Sequence, residues 1–500
     1  MLRKIITSAV LATALAALVT PAIAGDFAAT LLPTPAGPST EVQRYIKVHA
    51  GRIALRHLRV IDGTGASAQA DRTILIDQGR IRSVQDDAAP IPSGYTTLDL
   101  SGSTVLPGIV GMHDHIFHIA RPNLEEDGHF DPPLIVPQMT FAAPRLYLAN
   151  GVTTIRTTGS VEPYTDLNLK HAVDQGELPG PHMDVTGPYL EGATSPFIVM
   201  HRIQNPEDAR RTVAFWAEQG ATSFKAYMNI TRAELKAAID ESHRRGFKIT
   251  GHLCAVTYDE AAELGIDNLE HGFMVNTAND PGKQPDVCPS TVGNPTIENM
   301  DPDGPDAKAL IAHLIARHVA LTSTLPAFEP LFAESSSLYA KSLEAMSPEA
   351  REGYLLVRRR MMNAPAEARG AREKRWRNDL ALERKFVEAG GLLMSGPDPT
   401  STGGIVPGFG DLRGIELLVE AGFTPLEAVK IATLNGATFL GVADRIGSIA
   451  PGKNADLLIV KGDPSQSIAD IEQVQLVFKD GVGYDPEKLI ASVKGHFGQY

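Results

Sequence analysis

An apolar run, 106-LPGIVGMHDHIFH-118, ends in His113 and His115 with one residue between them. Alternation along a strand turns two such side chains to one face, and imidazole nitrogen is a good ligand for zinc and similar ions. An H-x-H pair by itself also fits surface or core histidines. Four further apolar runs stop at a polar residue: Lys225 in 222-TSFKAYM-228, His252 in 247-FKITGHL-253, His271 in 266-IDNLEHG-272 and Asp398 in 391-GLLMSGPDP-399. Randomly placed histidines have no reason to fall at successive strand ends, so the set points to a metal centre. His118 breaks the alternation and is assigned a supporting or structural place.

The elements that must position these residues alternate short apolar runs with helical stretches from about 106 to 440, the pattern of βα units on a parallel sheet. Runs near 105–115, 152–157, 182–186, 222–227, 247–252, 267–271, 319–324 and 391–397 supply the eight strands that barrel closure needs. One helix is marked at both ends: 231-TRAELKAAIDESHRRG-246 has a Thr cap, Glu at the third helical position and a closing Gly. Short β-branched runs separated by Gly-containing turns fill 45–105 and return over 441–485. Neither piece has enough strands for a robust sheet, so the two are expected to join. The expected fold is therefore α/β: a (β/α)8 TIM-like barrel over 106–440, with a small discontinuous β-sandwich domain from the N- and C-terminal segments and a tail over 486–500. A Pro- and Asn-rich loop, 279–306, is long enough for a lid or contact surface. The charged stretch from about 347 to 388 reads as a solvated helical face.

Arg3 and Lys4 precede an uncharged stretch, Ile5 to Thr20, closed by 21-PAIA-24. That order is a secretory signal with cleavage after Ala24, followed by an extended leader over 25–44, and it places the protein in the periplasm or outside the cell. No later run is long and apolar enough to suggest a membrane span, so no membrane association is expected after cleavage. With 46 basic against 59 acidic side chains, a formal −13, the chain is not a general binder of nucleic acid or anionic membrane. Its two cysteines, Cys254 and Cys288, cannot staple a chain of 500 residues. Two separate buried thiols are the expectation, with a single bridge as the alternative.

The order H-x-H, Lys, His, His, Asp resembles the binuclear branch of the amidohydrolase superfamily. The flanks agree: 105-VLPGIVGMHDH-115 is similar to its first-strand motif, 149-ANGVTTIRTTG-159 to its second strand, and 447-GSIAPGKNADLLIV-460 to its C-terminal β-domain motif. The likeness runs from about residue 45 to 485 and looks closest to the imidazolonepropionase-like group that includes Xaa-Pro dipeptidases. It implies a CO2-derived carbamate on Lys225 bridging two divalent metal ions. His113, His115 and Asp398 would hold the more buried ion, and His252 and His271 the more exposed one. A hydroxide would bridge the pair, with Asp398 as general acid and base. Zinc is the default, although manganese or cobalt suits the same ligands.

Residues for the substrate are less sharply marked. Arg156 near the end of the second strand, His182 on the third, Tyr189, Arg202 and Tyr227 could reach a pocket, and a cation among them could hold a carboxylate bidentately. Tyr227, Arg156 and His182 are taken as the substrate-binding set. Tyr227 leads because it shares the face of Lys225, a position that also suits a packed barrel residue. The expected reaction is hydrolysis of the amide C–N bond of a small molecule, a dipeptide or N-acyl amino acid. The alternatives are a lactone or ester hydrolase, a mononuclear deaminase, or a non-catalytic binding barrel, and a homo-oligomer is left open.

Overall fold

The computed structural model describes residues 27–120, 134–136, 139–195, 200–332, 340–400 and 403–498. The secretory signal expected over 1–24 lies outside them.

Eight parallel strands form the barrel, in chain order Ile109–Gly111, Val152–Arg156, His182–Asp184, Ser223–Ala226, Lys248–Gly251, Asn268–Glu270, Ala320–Ser323 and Leu393–Ser395. They lie in the eight apolar runs. The first three pair with one another, and the last five pair in sequence within a second sheet. Backbone hydrogen bonds close the two seams. Thr222 N–H donates to Val185 O at 2.9 Å, and Met112 N–H donates to Ser395 O at 2.9 Å. Gly396, beside the second seam, touches the backbone of His113 so closely that a Cβ there would collide with it.

The terminal segments meet in one nine-stranded sheet. Its hydrogen-bonded order is Ile46–Val48, Val482–Tyr484, Val474–Lys479, Leu457–Lys461, Ser103–Pro107, Ile53–Val60, Gln69–Asp77, Arg80–Asp86, with Thr96–Asp99 paired to Ile53–Val60. Period-two alternation sorts its apolar residues. Ile53, Leu55, Ile74, Ile76, Leu457, Ile459 and Phe478 share a core of their own, whereas Leu106, Leu458, Val460 and Val477 join the main core. One face thus belongs to the small domain and the other docks on the barrel.

Local signals hold where they were strong. The helix Arg232–Arg244 is capped reciprocally, Thr231 Oγ1 accepting from Glu234 N–H and Glu234 Oε2 accepting from Thr231 N–H at 2.9 Å. Three expectations need correction. Residues 27–44 are not simply extended: Phe27–Leu31 and Thr40–Gln43 are helical, and Leu31 and Leu32 are buried with Val110, Met112 and Met394. The charged stretch forms two helices, Pro348–Met362 and Ala366–Glu388, and the second buries Trp376, Asp379, Leu382, Glu383 and Phe386. Cys254 and Cys288 form a disulfide, with Cα atoms 4.8 Å apart, because the long loop folds back over the segment that follows His252. Asp280 organises that loop, accepting from Thr291 Oγ1, Gly293 N–H and both Thr296 Oγ1 and N–H.

Candidate metal centre

Every ligand candidate sits at the C-terminal end of its barrel strand, the end on which barrel active sites are built. Lys225 lies within the fourth strand, His252 and His271 follow the fifth and sixth directly, and His113, His115 and Asp398 follow the first and eighth by two to four residues. The rings converge: centroids are 5.2 Å apart for His113 and His115, 4.7 Å for His113 and His271, and 4.4 Å for His252 and His271. Asp398 Oδ1 stands 3.3 Å from His115 Nε2 and 3.8 Å from His113 Nε2, and its Oδ2 is 4.0 Å from His271 Nδ1. Lys225 Nζ is 3.0 Å from His113 Nε2. Two of the group, His271 and Asp398, have φ of 69° and 48°, a left-handed conformation uncommon outside glycine and recurrent at functional sites.

The environment sets the charge state that cations require. Burial lowers the imidazoles of His113, to about 4, and of His115, and holds His252 and His271 well below the usual histidine range. Their nitrogen lone pairs are therefore free of protons at neutral pH. Burial would raise the Asp398 carboxyl, but the neighbouring imidazoles of His113 and His115 outweigh it and hold it well below the carboxylate range. Burial brings Lys225 down to about 8 against the opposing pull of Glu270 and Asp398. His271 Nε2 is buried with no hydrogen-bond partner among the described residues. Neutral imidazoles, an anionic carboxylate and an orphaned nitrogen are a donor set that fits divalent cations.

Four contacts aim the ligands. His115 Nδ1 lies 3.2 Å from Gly159 O, and His271 Nδ1 lies 2.8 Å from Thr324 Oγ1. Thr400 Oγ1 donates to Asp398 Oδ1 at 2.7 Å, and Asp398 N–H donates to His113 O at 2.9 Å. His113 has a stronger partner, Glu270, whose Oε2 sits 2.7 Å from Nδ1. Glu270 is in turn gripped by Arg156 through Oε1 at 2.9 Å and by the Thr250 hydroxyl. An acceptor at Nδ1 fixes the tautomer in which Nε2 carries the lone pair, directed at Lys225 and Asp398.

Two of the substrate assignments are corrected by these contacts. Arg156 is fully engaged inside the barrel by Met112 O, Asn268 Oδ1 and Glu270, because its strand position points inward below the ligands. His182 opens the third strand at the opposite end of the barrel and lies 3.1 Å from Asp480 Oδ2. Tyr227 does stand beside the centre, its ring 4.9 Å from those of His252 and Tyr189. His118 is buried against Phe497. Glu270 was missed by sequence reasoning. Its signal was a charge in the apolar run 266-IDNLEHG-272 that needed a buried partner, with Arg156 available on another inward-facing strand.

The sequence profile of the amidohydrolase family matches residues 104–352 and 384–483, and the chain belongs to that family. Among curated proteins, imidazolonepropionase of Porphyromonas gingivalis is 36% identical over 90 residues, 17% of this chain and 20% of the relative. Adenine deaminase 1 of Latilactobacillus sakei is 44% identical over 46 residues, 9% of this chain and 8% of the relative. The matched stretches thus span a fifth or less of these relatives. Solved structures align over far more. A putative prolidase from Bifidobacterium longum has a TM-score of 0.62 at 24% identity, over 89% of this chain and 99% of its own. A Xaa-Pro dipeptidase with bound methionine in the active site gives 0.64 at 20% identity, over 87% of this chain and 100% of its own. At such identities these likenesses establish the fold: an amidohydrolase barrel with a small sheet domain.

Proposed function

We propose that the chain is a metal-dependent hydrolase of the amide C–N bond in a dipeptide or N-acyl amino acid. The observation that carries the reading is the convergence of His113, His115, Lys225, His252, His271 and Asp398 at one barrel mouth. The likeness to a prolidase and a Xaa-Pro dipeptidase supports the substrate class.

His113, His115 and Asp398 would hold one cation and His252 and His271 a second, with Lys225 between them as a carbamate. A protonated ammonium 3.0 Å from a ligand nitrogen would repel cations, whereas its CO2 adduct removes the charge and supplies two oxygens. Zinc is the default ion, with manganese and cobalt suited to the same donors. When bound, such ions would lower the pKa of a coordinated water from ~15.7 towards 7 and would polarise the scissile carbonyl. Asp398 holds the proton abstracted from the attacking water and hands it to the leaving nitrogen, its Oδ1 steadied by Thr400. Tyr227 and Tyr189 present an aromatic wall beside His252 for the substrate side chain. The Cys254–Cys288 bridge supports export to an oxidising compartment.

The test is a panel of dipeptides, N-acyl amino acids, lactones and adenine offered to the zinc-loaded protein, with product release followed by mass spectrometry. Cleavage of dipeptides or N-acyl amino acids is expected. Turnover confined to lactones or adenine would reject the reading.

A further inference from the structure

At the barrel end opposite this centre, one imidazole and two carboxylates meet where the barrel rests on the small domain. His182 opens the third barrel strand, Asp456 precedes the strand Leu457–Lys461, and Asp480 follows the strand Val474–Lys479. Their ligand atoms all lie within 4.8 Å of one another; His182 and Asp456 expose only 1% and 5% of their surface, and the Asp480 side chain exposes 8%. His182 Nε2 is 3.1 Å from Asp480 Oδ2. Ligands on tetrahedral bonds of ~2.1 Å stand about 3.4 Å apart, so this pair is already near the spacing an ion would impose.

The cluster is incompletely satisfied. Asp480 N–H donates to Asp456 Oδ1 at 2.6 Å, but Asp456 Oδ2 and His182 Nδ1 are buried without a hydrogen bond among the described residues. Buried polar atoms are seldom left so, and an ion or water is the usual explanation. The charge is also unbalanced. Lys479 Nζ, 3.1 Å from Asp480 Oδ2, neutralises one carboxylate, and Asn454 Nδ2 adds a hydrogen bond to Oδ1 at 3.3 Å. Two buried carboxylates thus share one ammonium.

We infer that His182, Asp456 and Asp480 form a further metal site, separate from the catalytic mouth, that takes a zinc-class divalent cation and staples the barrel base to the small domain. One imidazole nitrogen and two carboxylate oxygens suit that class, and a protein-closed site at a domain junction is the structural kind of site.

The test compares zinc bound by full-length wild type, Asp456→Asn and His182→Gln after equilibrium dialysis. Asp456→Asn keeps the oxygen that accepts from Asp480 and removes only the anionic ligand. Each variant should carry one zinc fewer per chain than wild type, with amide turnover retained. The difference between proteins carries the result, so it stands whatever number of ions the mouth binds. Equal zinc in all three would overturn the inference and leave a protonated His182 as the counter-charge. Should both variants fail to fold, zinc-edge anomalous scattering from wild-type crystals decides: a peak among the three residues supports the site, and no peak overturns it.

Discussion

Glu270→Gln separates metal affinity from the rest of the centre. The native carboxylate accepts from His113 Nδ1–H at 2.7 Å and from Arg156 at 2.9 Å while fully buried. An amide of the same shape has one acceptor atom instead of two, so one donor, on His113 or Arg156, faces another donor. Loss of such a partner behind a metal-bound imidazole weakens metal binding ~10–100-fold, which corresponds to ~1.4–2.7 kcal/mol. A distinct and larger effect falls on stability, because removing one member of a buried ion pair costs ~3–5 kcal/mol. Zinc competition against a chromophoric chelator reads the first effect, and urea unfolding of the metal-free protein reads the second. Weaker zinc binding together with reduced metal-free stability is expected. A folded Glu270→Gln protein with wild-type zinc affinity would refute the argument that Glu270 aims His113.

Other expectations test neighbouring links. Lys225→Ala should lose zinc and turnover together and regain part of both with a short carboxylic acid; full turnover in the mutant would remove the bridging carbamate. Reduction of Cys254–Cys288, which closes a separation of 34 residues, should cost up to about 4 kcal/mol from chain entropy. Superimposable urea curves with and without reductant would contradict that. Burial pushes the Asp379 carboxyl up to about 7, and that of its helix neighbour Glu383 well above the ordinary range. The folded protein then holds protons that the unfolded chain releases, so this pair's contribution is present below pH ~4 and is lost as pH rises through ~7. Asp379→Asn should flatten the fall in stability over that window, and an unchanged pH profile would count against the buried acid pair.

The barrel was legible because each inner strand is a short apolar run interrupted only where a side chain must do something polar. Lys225, His252, His271 and Asp398 stood out for that reason, and H-x-H spacing exposed His113 and His115. What stayed hidden depends on contacts between distant segments. Arg156 reads as a substrate cation until Glu270 is seen to consume it, and His182 lies on a barrel strand at its wrong end. The Cys254–Cys288 bridge rests on how a long loop returns, which spacing alone does not determine. Asp379 and Glu383 carry the charges of a solvated helix, yet the helix turns them inward against Gly272 and Phe273.

The central claim is that six side chains hold two cations next to each other, and manganese loading of the Asp456→Asn protein tests it most directly by electron paramagnetic resonance. With the base cluster disabled, the account predicts a spin-coupled spectrum from a bridged pair. A spectrum of isolated manganese alone, at full loading, would contradict it.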